Sequence, residues 1–517
     1  LGVFKATFVV GFFTLVSRLG GFVRDALMLS IIGVGPIMDA FIVAFKFPNF
    51  FRRISAEGAF SSAFVPIYSG LQAKEGKTIA FEFAKQAFAI MGIILLIFVA
   101  CFEIFTPQLM RVFAPGLLET QERFQMAVDF TRITFPYILF ISLASLMGGV
   151  LNSLGKFAAW SAAPILLNVI MIASMLLLAP WVGGHGVALA WGVFISGVAQ
   201  FVLLWISLYR NRHVMIIVKP QLTENIKILF RKMVPGIIGA GVFQINVFVD
   251  MWIGSFLAVG GLTYIHVADR LNQLPLSVIG IAISTAFLPT LSGLFQTGKQ
   301  QEATQELRRA ISYAMLMTVP AATALFLLSL PITKVLFQRG AFTMADSIAT
   351  AHTIEAFVIG LPAYVLAKVL STGFFARQDT TTPVIVGIIC VVVNFCLNLL
   401  FMKPLAHVGI ALATTISSWV NVTLLILMLK RSKISLLDKM MRMTLVKILI
   451  CCIAMAAVLQ LIYAKIKTHI VDCFGVVPWI LLTILIAIGM VVYFSSAHLV
   501  RLISFTELLA ILRRRKS

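Results

Sequence analysis

Charge is what this chain has least of. Asp, Glu, Lys and Arg make up 12% of its 517 residues, against about 25% in an ordinary soluble domain, and that density excludes a soluble enzyme of this length. Acidic groups are scarcer still, 20 against 41 Lys and Arg. The six cysteines show no CxxC spacing, which points away from a disulfide framework or a zinc site. Cys101, Cys390, Cys396, Cys451 and Cys452 fall in or at the edge of apolar runs and are expected as buried thiols, leaving Cys473 in a loop. Also missing are GxxxxGK[ST], HExxH, GxSxG and any carboxylate-rich loop suited to a catalytic metal. The chain therefore reads as no enzyme, and uphill work must draw on an ion gradient or the membrane potential.

Apolar sequence fills the space that charge leaves. Sixty per cent of residues are hydrophobic and the mean hydropathy is +1.02. A span needs roughly 20 apolar residues, and runs of that length recur along the whole chain. They predict about fourteen spans, with cores at 5–32, 37–70, 79–105, 128–152, 158–180, 184–208, 228–258, 262–294, 307–331, 350–375, 382–402, 407–429, 442–464 and 477–500. The first lacks a small-residue cleavage site and reads as a retained span. All are expected to be helices, because backbone groups in lipid must be satisfied within their own segment. The fold class is thus an all-α polytopic membrane protein.

The net charge of +21 suggests nucleic acid only in a soluble protein; here basic residues gather in the loops of one side. Even-numbered spans feed into Lys74 and Lys77, Lys156, the run from Arg210 to Lys232, Lys299, Arg308 and Arg309, Arg377, and Lys430 to Lys439, and the tail adds Arg513 to Lys516. The opposite loops hold few, Arg111 and Arg123 among them. The bias places both termini in the cytoplasm, next to anionic membrane lipids.

The chain also repeats itself. Ala63-Phe-Val-Pro-Ile-Tyr-Ser-Gly-Leu71 recurs as Ala286-Phe-Leu-Pro-Thr-Leu-Ser-Gly-Leu294, and Gly186-Val-Ala-Leu-Ala190 as Gly409-Ile-Ala-Leu-Ala413, both at an offset of 223. Pro136-Tyr137 matches Pro362-Ala-Tyr364 more loosely. The unit contains six spans, an even number, so the two copies run parallel, a recurrent transporter architecture. The expected division is an N-terminal lobe at 1–215, a C-terminal lobe at 216–432, and spans 13 and 14 with a basic tail at 433–517.

Ionisable residues inside apolar stretches cost at least about 2.5 kcal/mol each at the bilayer centre and mark function. Arg18 and Asp25 share a face of span 1, with Arg24 beside them and Gly20-Gly21 between as a candidate hinge. Span 2 carries Asp39, Lys46 and Arg53 at steps of seven, with Asn49, Arg52 and Glu57 nearby and Pro48 as a second candidate hinge. Span 8 presents His266, Asp269, Arg270, Gln273 and Ser277 as a polar stripe. Mutual pairing accounts for part of this pattern. Arg18, Arg24, Lys46, Arg52, Arg53 and Arg270 nevertheless outnumber the carboxylates Asp25, Asp39, Glu57 and Asp269. Arginine forks suit phosphate oxygens, so the excess implies an anionic, phosphate-bearing substrate. Asp250, Asn394, Asn398 and Thr414 offer oxygen ligands for a monovalent cation such as Na+, with interhelical hydrogen bonding as the alternative.

Several segments together resemble the MurJ/MviN family of lipid II flippases: Ser17-Arg-Leu-Gly-Gly-Phe-Val-Arg-Asp25, Asp39-Ala-Phe41, Phe47-Pro-Asn49, Arg52-Arg-Ile-Ser-Ala-Glu-Gly-Ala-Phe60, Ala268-Asp-Arg270, Leu336-Phe-Gln-Arg-Gly-Ala-Phe-Thr343 and Phe374-Phe-Ala-Arg-Gln-Asp-Thr-Thr-Thr-Pro383. The resemblance implies the multidrug/oligosaccharidyl-lipid/polysaccharide exporter fold, two six-helix lobes with two C-terminal helices that form a groove for a polyprenyl tail. It implies that Arg18, Arg24, Arg52 and Arg270, with Asp39 nearby, handle the pyrophosphate-sugar head of lipid II by alternating access, coupled to Na+ or H+, in a monomer that serves the peptidoglycan synthesis machinery. Gln273 stands where some members carry Glu, which removes an acidic role there. Other polyprenyl-linked oligosaccharides, or a drug exported with a cation, are the alternative cargoes.

Overall fold

A helix end or a proline inside a membrane leaves backbone groups that no water can satisfy, and the architecture is built around answering them. The computed structural model describes residues 2–53, 60–432, 434–436, 438–471 and 475–502, which contain helices, turns and connecting segments and no strand. Glu57, Cys473, Lys433 and the basic tail lie outside the described residues. Two compact units are present, Leu1–Thr263 with Arg339–Phe342, and Tyr264–Gln338 with Thr343–Ser517.

The first unit contains α1 (Gly2–Ile31), α2 (Pro36–Arg52), α3 (Ser61–Lys74), α4 (Lys77–Phe113), α5 (Gln121–Thr134), α6 (Tyr137–Ser153), α7 (Ala158–Ala173), α8 (Ala179–Val182), α9 (His185–Arg210) and α10 (Glu224–Gly254). The second runs through α11 (Gly261–Pro275), whose first turn belongs to the first unit, α12 (Ile281–Gln296), α13 (Gln300–Leu327), α14 (Ser329–Phe337), α15 (Met344–Val358), α16 (Leu361–Phe375), α17 (Thr381–Arg431), α18 (Lys439–Val471) and α19 (Val476–Leu499). Among the described residues, ten helical stretches are long and apolar enough to cross a membrane. A count of fourteen further requires α1, α2 with α3, and α10 to span despite their charges, and α17 to be divided at Ala406, whose φ of 46° and ψ of −126° break the helix.

Two of the expected spans are interrupted, at the Pro136 and Pro362 positions that the repeat pairs. α5 gives way to α6 at Phe135-Pro136, and α15 to α16 at Ile359-Gly360. At the second break the loosened carbonyls are met from α17. Thr415 Oγ1 donates to Ala356 O at 2.7 Å and Trp419 Nε1 donates to Ile359 O at 3.1 Å. Pro48 poses the same problem inside α2, since it has no N–H for the carbonyl of Ala44. Thr134 Oγ1, on α5, donates to that carbonyl at 3.0 Å, and Asn49 Nδ2 donates to Phe45 O at 2.8 Å.

Small residues let helices approach closely. A Cβ on Gly186 would stand 2.6 Å from Ile37 and 2.7 Å from Phe130, and one on Gly148 would stand 2.8 Å from Trp160. The segment Arg339–Phe342 reaches the end of α1 in the same way: Ala341 N donates to Ser30 O at 2.7 Å. Gly340, at φ +59°, has no room for a Cβ, which would meet that oxygen at 2.1 Å. In the second unit, Arg308 Nη1 of α13 pairs with Asp438 Oδ2 at 2.7 Å just before α18. Tyr493 OH of α19 donates to Leu316 O of α13 at 2.7 Å. These bonds fix the C-terminal helix pair to α13.

Two sequence expectations change. Cys390, Cys451 and Cys452 are buried, but Cys101 and Cys396 are exposed; lipid tails are as apolar as a core, so a thiol in a span gains little by facing inward. The stripe expected on span 8 is also interrupted. Leu276–Gly280 forms a π turn after α11, and the wider turn shifts Ser277 out of register with His266, Asp269, Arg270 and Gln273.

Thr134→Val removes the hydroxyl that donates to Ala44 O. The substitution should lower stability by about 0.6–2 kcal/mol, measurable as a lower melting temperature in detergent, whereas Thr14→Val on α1, whose hydroxyl only bonds back to Val10 O, should change little.

Candidate functional site

Asp39 enters α2 at its first turn and is fully buried, where an isolated carboxylate would be prohibitively costly. Its surroundings meet that cost. Oδ1 accepts from Thr263 N at 3.0 Å and Thr263 Oγ1 at 2.7 Å, and Oδ2 accepts from Gly260 N at 2.7 Å. The carboxylate thus caps the first turn of α11 from another helix, where orphan N–H groups and the helix dipole favour negative charge. Arg123 Nη2 completes the shell at 3.2 Å from Oδ2, itself only 4% exposed. The sequence reading counts Arg123 as a loop residue; it lies on α5, buried against Asp39. Its position at the polar start of an apolar helix gave no signal, because the partner is 84 residues away.

A second knot forms where α1 meets α7. Arg24 is 3% exposed. Its Nε and Nη2 donate to Asp25 Oδ1 at 3.0 and 2.6 Å, and its Nη1 donates to Asn168 Oδ1 at 3.1 Å and faces Met171 Sδ at 3.6 Å. The guanidinium also lies 5.8 Å from the Phe45 ring centroid. Asn168 gives no signal in the sequence, because one amide in an apolar helix carries no pattern.

The other expected site residues are distributed differently. Arg18 and Arg53 are exposed, while Lys46, Asn49 and Arg52 are half-buried on their helices. Gly20-Gly21 and Pro48 leave α1 and α2 continuous as helices. Asp269, Arg270 and Gln273 belong to the second unit; Arg270 is exposed, and Gln273 Nε2 donates to Asp269 Oδ2.

The oxygen-rich group divides between the units. Asp250 lies on α10 in the first. In the second, Asn398 Nδ2 donates to Asn394 Oδ1 at 2.9 Å, Asn394 Nδ2 donates to Thr414 Oγ1 at 3.3 Å, and Thr414 Oγ1 donates to Ile410 O at 3.0 Å. Of these bonds, the one from Asn394 to Thr414 joins the two halves of α17 across Ala406. The three side chains are neutral amide and hydroxyl groups. Among the described residues, no group of three or more His, Cys, Asp and Glu side chains is placed to hold a metal ion.

Arg123→Ala strands a buried carboxylate and Asp39→Asn strands a buried guanidinium. Each should destabilise the protein by about 3 kcal/mol, with the double variant losing less than the sum. Thermal unfolding of the four proteins in one detergent measures the coupling.

The sequence profile described as "Lipid II flippase MurJ" matches residues 28–498. A protein of Rickettsia prowazekii (strain Madrid E) named "Probable lipid II flippase MurJ" is 34% identical over 503 residues, 97% of this chain and 98% of its own. One of the same name from Rhizobium meliloti (strain 1021) is 40% identical over 425 residues, 80% and 78% of the two chains. A solved lipid II flippase MurJ in an inward closed conformation superposes with a TM-score of 0.78 at 27% identity, covering 95% of this chain and 98% of that one. A multidrug resistance MATE transporter of the MOP superfamily in an inward-facing conformation follows at a TM-score of 0.66 and 17% identity, over 81% and 94%, a likeness of fold alone. With the profile running from the end of α1 to the end of α19 and relatives matching most of both chains, this multi-pass membrane protein belongs to the MurJ family of lipid II flippases.

Proposed function

We propose that this chain flips lipid II, the undecaprenyl-pyrophosphate-linked peptidoglycan precursor, from the cytoplasmic to the periplasmic leaflet of a bacterial inner membrane. The observation that carries the reading is full-length similarity to proteins named for that activity, and the surplus of arginine over carboxylate within the spans agrees with a pyrophosphate cargo. Arg18, Arg52, Arg53 and Arg270 supply charge for the head group. Arg24, tied to Asp25 and Asn168, adds charge for the head group, Lys46, Asn49, Asp269 and Gln273 shape its surroundings, and the pairing of Asp39 with Arg123 holds helices in place. The charged head cannot cross hydrocarbon unaided, so the protein works by alternating access, with bending at Gly20-Gly21 and Pro48 while the polyprenyl tail stays in lipid.

The loop bias supports cytoplasmic termini and fourteen spans, and the repeat supports lobes at 1–215 and 216–432 with a C-terminal pair at 433–517. The chain works as a monomer among membrane lipids and supplies the peptidoglycan synthesis machinery, with no nucleic acid partner. An ion gradient or the membrane potential drives it, through Na+ or H+; Asp250 with Asn394, Asn398 and Thr414 is the proposed coupling site.

Arg18→Ala, Arg52→Ala and Arg270→Ala should each abolish lipid II translocation in proteoliposomes while the proteins elute as wild type. Wild-type flipping by the triple variant would reject the reading, and transport of another polyprenyl-linked oligosaccharide or a drug in its place would redirect it. Asp250→Ala should reduce the dependence of transport on the cation gradient, and an unchanged dependence would discard the coupling site.

A further inference from the structure

Asn168 makes two hydrogen bonds to α1, seven residues apart along that helix. Its Nδ2 donates to Ser17 O at 2.9 Å and its Oδ1 accepts from Arg24 Nη1 at 3.1 Å. The side chain is 5% exposed, and it lies over the glycine pair: a Cβ on Gly20 would stand 3.5 Å from it and one on Gly21 3.6 Å.

Ser17 O is the carbonyl whose partner within the helix is the Gly21 N–H, by the i to i−4 rule. If α1 bends at the glycines, that bond is the one that opens, and an unsatisfied carbonyl at membrane depth is costly. The Asn168 amide already donates to this oxygen, so it keeps the carbonyl partnered whether or not the helix bond is made. Inserted groups of this kind are a recognised cause of helix kinks.

The other end of the same amide holds Arg24. Asp25, the guanidinium's ionic partner, sits on the same helix and moves with it. Asn168 Oδ1 and Met171 Sδ are its polar ties to α7. One planar amide therefore joins the weak point of α1 to the orientation of a buried arginine, and neither end can shift without the other being felt.

We propose that Asn168 is a positioning residue that couples bending of α1 at Gly20-Gly21 to the presentation of Arg24 to the pyrophosphate of the cargo. This rests on the lipid II reading for its substrate, but the tie between α7 and α1 stands on geometry alone. The test uses the full chain in nanodiscs, with Asn168→Leu, which fills the site, and Asn168→Ala, which empties it, each in the wild-type and Arg24→Ala backgrounds. Hydrogen exchange is followed in α1 peptides covering residues 14–25, and binding is followed with labelled lipid II. Both substitutions should speed exchange in that segment and weaken lipid II binding by about tenfold, the size expected for a lost hydrogen bond to a charged group. In the Arg24→Ala background neither should weaken binding further. Equal losses in both backgrounds, or unchanged exchange, would overturn the proposal. If Arg24→Ala alone binds lipid II as tightly as wild type, the substrate role of Arg24 fails, and the exchange data still decide whether Asn168 ties the two helices.

Discussion

A polar group held in hydrocarbon must find its partner inside the protein, and the positions of the helices in this chain follow from that requirement. Pro48 leaves the Ala44 carbonyl open, and Thr134 on α5 closes it. The break between α15 and α16 frees carbonyls that Thr415 and Trp419 on α17 take up. Irregular backbone, which a water-soluble protein would leave to solvent, here becomes the place where one helix is tied to the next. Contacts among apolar side chains contribute less to choosing partners, because lipid competes with them on nearly equal terms.

The same requirement sorts the charges. Asp39, with Arg123, caps the first turn of α11, and Arg24, with Asp25, is locked against Asn168. These groups are buried and hydrogen-bonded, and each holds helices in place. Arg18, Arg53 and Arg270 are exposed. A count of charges in apolar segments does not separate the buried from the exposed, since both are of the same residue types. Burial separates them, and Arg123, buried against Asp39, is one that the sequence pattern passes over.

Asn168 does two things with one side chain: it donates to a carbonyl beside two glycines and accepts from the Arg24 guanidinium. The capping of α11 by Asp39 is different in kind. It gathers three donors and a counter-ion on one carboxylate, so four interactions share a single acceptor group.

Much of the molecule was legible in advance. Sparse charge and recurrent apolar runs determine a multi-pass helical membrane protein, because hydropathy is a sum over residues that needs no knowledge of neighbours. The repeat at an offset of 223 and the motifs of the resemblance are likewise local properties of the string. The partners were not legible. Arg123 with Asp39, Asn168 with Ser17 and Arg24, and Thr134 with Ala44 join residues 84, 151, 144 and 90 positions apart, and no periodicity connects them. The π turn at Leu276–Gly280, which shifts the stripe on α11, and the outward-facing Cys101 and Cys396 depend on how whole helices pack. The sequence by itself determined the class, a multi-pass helical membrane protein, since transfer into lipid is a sum settled residue by residue. Only the tertiary structure decided which charges are committed to holding the helices, since that depends on which donor and acceptor meet where water is absent.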